Sequence, residues 1–243
     1  MRNRRRADLL LVERGLFDSR AKAQAAIAAG LVTADDVAIA RASEPVAVDA
    51  ALRAQPAFPW VSRGGVKLAA ALDRFAIDPS GRVCLDVGAS RGGFSEVLLA
   101  RGARRVYAVD VGRDQLHPRL RTRPEIVVLE ETDIRRLEAR LLPEAPDLVV
   151  VDVSFISLTL ALSPALALAR PPAQAVALIK PQFEAGRTHL KKGIVREPAV
   201  QSRVCDDIAA LVGSLGWRVI GLTPSPIAGS EGNREFLIGM RAP

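Results

Sequence analysis

The chain has 243 residues and a mass of 26.0 kDa, with 34 Lys+Arg against 27 Asp+Glu and a formal net charge of +7. At 49% hydrophobic and 25% charged it has a globular composition, which excludes a disordered chain. Two cysteines, Cys84 and Cys205, exclude a disulfide scaffold and an unaided four-ligand zinc site, so no metal is expected. The basic residues are 29 Arg and only 5 Lys, and where nearly every cation is written as Arg, a lysine in an apolar run needs a reason.

Met1 is followed by Arg2, Arg4, Arg5 and Arg6, which has the look of a signal-peptide start, but the next apolar run, Leu9–Val12, is short and stopped by Glu13. The longest apolar stretch, Leu158–Ala169, contains Pro164 and falls short of the roughly 20 residues of a membrane span. The expectation is a cytoplasmic protein with no membrane partner, whose excess positive charge suits a polyanion.

Residues 8–29 read as two short helices: Asp8–Arg14, stopped by Gly15, and a second one N-capped by Ser19, with Ala23, Ala26 and Ile27 as its apolar stripe and Gly30 at its end. Short β-like pieces follow at 31–33, 37–40 and 46–48, with a turn at Asp35-Asp36. The unit is expected to span residues 1–53, with residues 54–59, which contain two prolines, as a linker and 60–243 as the main domain. About 50 residues bury little core alone, so the front unit reads as an accessory module. Residues 1–25 carry seven basic and three acidic side chains, and Arg20 and Lys22 open the second helix, where N–H groups and the helix dipole also favour phosphate.

Behind the linker, strand-like and helix-like segments alternate. Val83–Val87, Arg105–Val109, Ile126–Leu129, Leu148–Val153 and Ala175–Ile179 read as strands, and Phe94–Ala100 and Leu158–Ala169 as helices. Such alternation means βαβ units and a parallel sheet with helices on both faces. The tail segments Trp217–Leu222 and Glu235–Met240 can pair antiparallel at one edge. Cys84–Phe94, CLDVGASRGGF, is a strand, a glycine-rich turn and a helix start: Gly88 allows a tight turn, and Gly92 and Gly93 would let a ligand approach the backbone. It lacks the spacings of a dinucleotide fingerprint and of a P-loop. Asp110, 24 residues after Asp86, stands where a carboxylate takes ribose hydroxyls, and Asp133 where one can reach an adenine amino group.

Four further residues suggest chemistry. Lys67 lies on a helix with Leu68 and Leu72, Asp152 ends DLVVVD, Lys180 ends AVALIK, and Glu235 opens EFLIGM. An acceptor hydroxyl of high pKa needs help to lose its proton. An amine can act as the base only when its charged form is destabilised by burial or a neighbouring cation, a role arginine cannot take. Alignment of the acceptor can contribute more than the proton transfer itself. Lys191 and Lys192, adjacent in a polar segment, read as solvated.

Several of these segments carry family resemblances. DLLLVERGLFDSRAKAQAAIAAGLVTADD resembles the alpha-L RNA-binding motif of a small-subunit ribosomal protein, pseudouridine synthases and tyrosyl-tRNA synthetases, which implies RNA binding; Arg20 and Lys22 within it, and Arg4 and Arg6 in the basic stretch before it, are the expected contacts. The glycine loop and its carboxylates are similar to the S-adenosyl-L-methionine methyltransferase fold. The order Lys67, Asp152, Lys180, Glu235 resembles the catalytic set of 2′-O-ribose RNA methyltransferases of the FtsJ/RrmJ type. WVSRGGVKLAAAL, LDVGASRGGFSEVLL, YAVDVGRDQL, DLVVVDVSFISL, LIKPQFEAGR, GIVREP and SPIAGSEGNREF together resemble the TlyA family, ribosomal RNA cytidine 2′-O-methyltransferases also called hemolysin A.

The resemblance implies an α/β fold: a Rossmann-like methyltransferase sheet with a small N-terminal α+β RNA-binding domain. It implies S-adenosyl-L-methionine as cofactor and ribosomal RNA or ribosomal subunits as partner. It places Arg63, Gly64, Asp86, Gly88, Ser90, Gly92, Gly93, Asp110 and Asp133 at the cofactor. Arg91 departs from a family threonine, and the chain stops soon after the last strand, where longer members carry an extra helix. The shorter form is associated with large-subunit RNA and the longer form with both subunits; the arginine-rich start resembles the longer form, so both targets stay open, with large-subunit RNA favoured. The competing readings are a non-catalytic ribosome-assembly factor, a membrane-active hemolysin, for which no inserting segment is visible, and a small-molecule methyltransferase, which would leave the front module without a purpose.

Overall fold

The computed structural model describes residues 3–229 and 232–243, so Met1, Arg2, Ser230 and Glu231, the last two within SPIAGSEGNREF, lie outside the described residues. The chain divides into two compact units, Met1–Pro59 and Trp60–Pro243.

The first unit contains β1 (Arg4–Arg6), α1 (Ala7–Glu13), α2 (Arg20–Ala28), β2 (Val32–Ala34), β3 (Val37–Ala38), β4 (Pro45–Ala47) and β5 (Leu52–Ala54). Both helices end where expected. Ser19 Oγ accepts the Lys22 N–H at 3.4 Å, and Gly15 and Gly30 take the left-handed backbone that favours glycine. Two strands go beyond the sequence reading. Arg4–Arg6 pairs antiparallel with Pro45–Ala47, and Leu52–Ala54 pairs antiparallel with β2, so Ala54 belongs to a strand and not to a linker. Each run is only three residues long, too short for alternation to register. The core gathers Leu10, Leu11, Phe17, Ile27, Val32 and Ile39.

The second unit contains α3 (Gly64–Phe75), β6 (Val83–Val87), α4 (Gly93–Ala100), β7 (Arg105–Val109), α5 (Pro118–Arg121), β8 (Ile126–Leu129), β9 (Leu148–Val151), α6 (Leu158–Ala167), β10 (Gln174–Ile179), α7 (Pro181–Glu184), α8 (Pro198–Ser214), β11 (Arg218–Pro224) and β12 (Phe236–Arg241). Its seven-stranded sheet has the order β11-β12-β10-β9-β6-β7-β8. From β10 to β8 all neighbours are parallel, and β12 is antiparallel to both β10 and β11. Successive residues point to opposite faces of a strand. Leu85, Tyr107 and Val149 accordingly join one core with Leu162 and Ile208 of α6 and α8, while Cys84, Val106 and Val150 join the other with Leu68 and Leu98 of α3 and α4.

The strand order turns at β6. The chain runs outward through β7 and β8 on one side, then returns to lay β9 and β10 on the other. A crevice at the carboxyl ends of the strands around such a switch point is where open parallel sheets bind ligands. The 17-residue α8 was not singled out from the sequence. The edge pairing of the tail is present, with β12 inserted between β10 and β11. Among the described residues no helix is long and apolar enough to cross a membrane.

Candidate active site

The turn after β6 carries the glycine-rich loop. A Cβ on Gly88 would lie 2.4 Å from the Asp152 carbonyl oxygen, so this glycine lets the loop pack directly on the end of β9. The explanation expected for Gly92 and Gly93 needs correcting. A Cβ on Gly92 would meet Leu120 and Leu116 at 2.4 and 2.7 Å, and one on Gly93 would meet Ser62 Oγ at 2.1 Å. The protein's own atoms, not a ligand, take up the space the missing side chains leave. The same crowding docks the segment before α3 on the loop. Gly65 lies under Trp60, and the Val61 N–H donates to Glu96 on α4.

Asp110 stands just past β7. Its Oδ2 accepts the Ser90 N–H and its Oδ1 the Gly112 N–H, each at 2.7 Å. Each carboxylate oxygen can accept a second donor, so Asp110 keeps acceptor capacity. It borders a cavity of about 590 Å³ together with Gly88, Ser90, Thr132, Asp133 and Asp152. Val111, Ile134, Phe155 and Ile156 give that cavity an apolar lining. Glu130, which the sequence reading passed over, accepts the N–H groups of Asp114, Gln115 and Leu116 and pairs with Arg121. The Arg121 guanidinium is the main cause that holds the Glu130 carboxyl down at about 2. It thereby pins the loop that carries Gly112 and Gln115 into the cavity wall.

Asp133 also lines the cavity, but both its oxygens are taken by Arg135. The Arg135 N–H and Nε reach Oδ1 at 3.0 Å, and Nη2 reaches Oδ2 at 2.5 Å. Arg135 holds that carboxyl down at about 2. The expected contact to an adenine amino group therefore competes with Arg135, itself a lining residue and absent from the sequence reading.

Asp86 corrects another expectation. It is wholly buried on β6 and is not among the lining residues. Its Oδ2 accepts the Ser95 hydroxyl at 2.6 Å, while Oδ1 is buried with no hydrogen-bond partner. Burial, reinforced by Asp152 and Asp110, pushes its carboxyl up to about 7. Asp86 lies beneath the loop. Arg63 and Gly64 sit at the start of α3, and Arg63 and Arg91 are exposed; none of the three lines this cavity.

The four residues of the expected catalytic set form two ion pairs, one buried and one part-buried. Lys67 Nζ lies 2.5 Å from Glu235 Oε2, across 168 residues of chain, with both side chains at most 10% exposed. Lys180 Nζ lies 2.6 Å from Asp152 Oδ1 as a close charge contact, and its aligned hydrogen bond goes to Ser154 Oγ at 2.7 Å. Three of the four flank a strand without belonging to it: Asp152 follows β9, Lys180 follows β10 and caps α7, and Glu235 precedes β12. Their backbones are still pinned by the sheet. Val87 accepts the Asp152 N–H at 2.9 Å, and Glu235 accepts the Ser225 N–H at 2.8 Å. Gly229 is needed beside Glu235, since a Cβ there would lie 2.1 Å from Oε1.

Phe155 completes the site and was missed by the sequence reading. It is 94% exposed, has a left-handed φ of +65° and leans on Phe183 with ring centroids 5.6 Å apart. An exposed aromatic on strained backbone, one residue from Ser154, marks a surface kept for something other than stability. Nothing in its local sequence distinguishes it from a core phenylalanine.

In the first unit two of the four expected RNA contacts, Arg6 and Arg20, are arranged by Asp8, which is fully buried. Arg6 and Arg20 both pair with it at 3.0 Å while staying about half exposed. Lys22 is only 16% exposed and pairs with Asp18 at 3.2 Å, and Arg4 is exposed on β1. Among the described residues no group of three or more His, Cys, Asp or Glu can hold a metal ion.

Comparison with known proteins gives the following. The family described as FtsJ-like methyltransferase matches residues 60–242. The chain is 43% identical to the 16S/23S rRNA (cytidine-2′-O)-methyltransferase TlyA of Mycobacterium tuberculosis, over 99% of this chain and 91% of that one. It is 35% identical to the Hemolysin A of Brachyspira hyodysenteriae, over 96% and 98% of the two chains. A solved Streptococcus thermophilus structure described as a hemolysin is 37% identical and superposes with a TM-score of 0.79, covering all of this chain and 90% of that one.

Proposed function

The chain belongs to the FtsJ-like methyltransferase family, and from that premise we propose that it transfers a methyl group from S-adenosyl-L-methionine to a ribose 2′-hydroxyl of ribosomal RNA, a cytidine as in its Mycobacterium tuberculosis relative. The observation that carries the reading is the two lysine–carboxylate contacts, one buried and one part-buried, at the carboxyl end of a parallel sheet, with Asp152 bordering an apolar cavity. We assign residues 1–53 to RNA docking through Arg4, Arg6, Arg20 and Lys22, and 60–243 to the chemistry.

The cavity suits the cofactor by its donor set. Asp110 retains acceptor capacity for the ribose hydroxyls, the apolar walls suit an adenine ring, and Gly88 and Ser90 bring backbone to its edge. Asp133 suits the adenine amino group once Arg135 releases it. When bound, S-adenosyl-L-methionine supplies a methyl group on a positively charged sulfur that is a good leaving group. Lys180 Nζ takes the proton of the 2′-hydroxyl, while Asp152 and Ser154 fix the direction of the amine. The Lys67–Glu235 pair holds the hydroxyl oxygen in line, which is the larger contribution in a reaction with a ready leaving group.

The test is to incubate the protein with tritiated S-adenosyl-L-methionine and separated bacterial ribosomal subunits, then map methylated riboses. Lys180→Ala should lose incorporation by about a hundredfold or more while cofactor affinity is retained. Near-normal labelling by the variant would remove Lys180 from the role of base. The map on each subunit tests the preference for large-subunit RNA.

A further inference from the structure

We propose that Asp8 is a positioning residue, whose buried carboxylate holds Arg6 and Arg20 together as a preformed clamp for RNA backbone phosphate. The inference rests on the docking role given above to the first unit.

Asp8 is 0% exposed, yet it carries charge at the start of a helix in a unit with little core to spare. Its two oxygens are crowded with donors. Oδ1 accepts Arg6 Nε and the Leu9 N–H, and Oδ2 accepts Arg6 Nη2, Arg20 Nε and Nη2, and Gln24 Nε2. Those bonds hold its carboxyl far below the usual carboxylate range, with Arg6 the main cause. Each arginine Nη2 lies 3.0 Å from the one oxygen Oδ2, so the two nitrogens are no more than about 6 Å apart. Two guanidiniums that close repel unless an anion lies between them.

The edges presented matter as much as the spacing. A guanidinium has five donors on a rigid fork. Both arginines turn the Nε–Nη2 edge to Asp8, which leaves Nη1 and the second Nη2 hydrogen of each for another anion. Their side chains are 47% and 53% exposed, so those remaining donors are within reach of a phosphate. The rotamer freedom a loose arginine would lose on gripping a phosphate is already lost, which is how preorganisation raises affinity. Arg6 comes from β1 and Arg20 from α2, so only the folded unit brings them together.

The experiment compares full-length variants by filter binding to labelled bacterial ribosomal RNA, with thermal unfolding as a fold check. Asp8→Asn removes a negative charge from a protein that binds a polyanion. Bulk electrostatics therefore expects tighter binding, and positioning expects weaker binding, by about tenfold if a charge-assisted hydrogen bond is lost. Arg20→Lys guards against a fold defect in the first variant. It keeps the charge on an exposed side chain but removes the fork, and should bind nearly as poorly as Arg20→Ala. Methylation assays on Arg20→Lys should show a raised KM for RNA with kcat retained.

If Arg6→Ala and Arg20→Ala bind like the wild type, the docking role itself falls, and this inference with it. If those two are weakened while Asp8→Asn and Arg20→Lys bind as well as the wild type, docking stands and the positioning role of Asp8 is overturned.

Discussion

Lys67 and Glu235 make the sharpest quantitative case. The pair is 2.5 Å apart, with side chains 10% and 3% exposed, so water screens it little. Lys67→Met keeps the length and volume of the side chain and leaves Glu235 buried without its cation. Breaking a buried pair in this way costs about 3–5 kcal/mol. For a domain of this size each kcal/mol lowers Tm by about 2–4 °C, so the drop should be roughly 6–20 °C. The double variant Lys67→Met/Glu235→Leu removes both charges. Apolar replacement of a buried pair is often neutral or stabilising by about 1–4 kcal/mol, so it should unfold at or above the wild-type temperature. Both variants should be inactive in methyl transfer. Differential scanning calorimetry decides the matter. A Lys67→Met protein that melts with the wild type, or a double variant as unstable as the single one, would refute the claim that this pair is held in place against its own desolvation for catalysis.

Other consequences are equally open to measurement. Asp110→Ala should raise the dissociation constant for S-adenosylhomocysteine, read by calorimetry, because it removes both the acceptor for ribose hydroxyls and the anchor of the Ser90 and Gly112 amides; unchanged affinity would remove Asp110 from the site. Phe155→Ala should leave stability within about 0.5 kcal/mol, since the ring is 94% exposed, yet lower transfer to RNA by about tenfold or more if a nucleobase stacks there. Asp86 has a folded pKa of about 7, above the ordinary carboxyl value of 3.8. Its contribution is therefore fully present below pH 4 and is lost as pH rises through 7. The ceiling on that loss is roughly 4 kcal/mol. Asp86→Asn should remove this slope, so that its stability relative to the wild type grows from pH 4 to pH 8 in chemical denaturation.

Local physics made much of the fold legible in advance. Val83–Val87, Arg105–Val109 and Ile126–Leu129 are strands with the bounds the sequence suggests, because short apolar runs between turn residues suit a sheet covered on both faces. The glycine loop and the carboxylate at Asp110 could be placed from the strand ends alone. The purpose of Gly92 and Gly93 could not, because their neighbours Leu116, Leu120 and Ser62 come from other segments. Asp133 is a different case: its partner Arg135 is only two residues away, and it is the backbone turn after Asp133 that folds the guanidinium back onto the carboxylate.

The amino-acid sequence by itself determined the alternation of strands and helices, the turn that forms the cofactor-type loop, and the identity of the lysines worth asking about. Hydrogen bonding within a segment and the period of its apolar residues are properties of neighbours in the chain. The tertiary structure alone decided which acid meets which lysine. Lys67 pairs with Glu235 because β12 inserts beside β10, and Lys180 pairs with Asp152 because β10 lies parallel to β9. It also decided that Asp8 gathers Arg6 and Arg20 around one oxygen. Such partnerships depend on the order in which distant strands assemble, and no pattern within a single segment encodes that order.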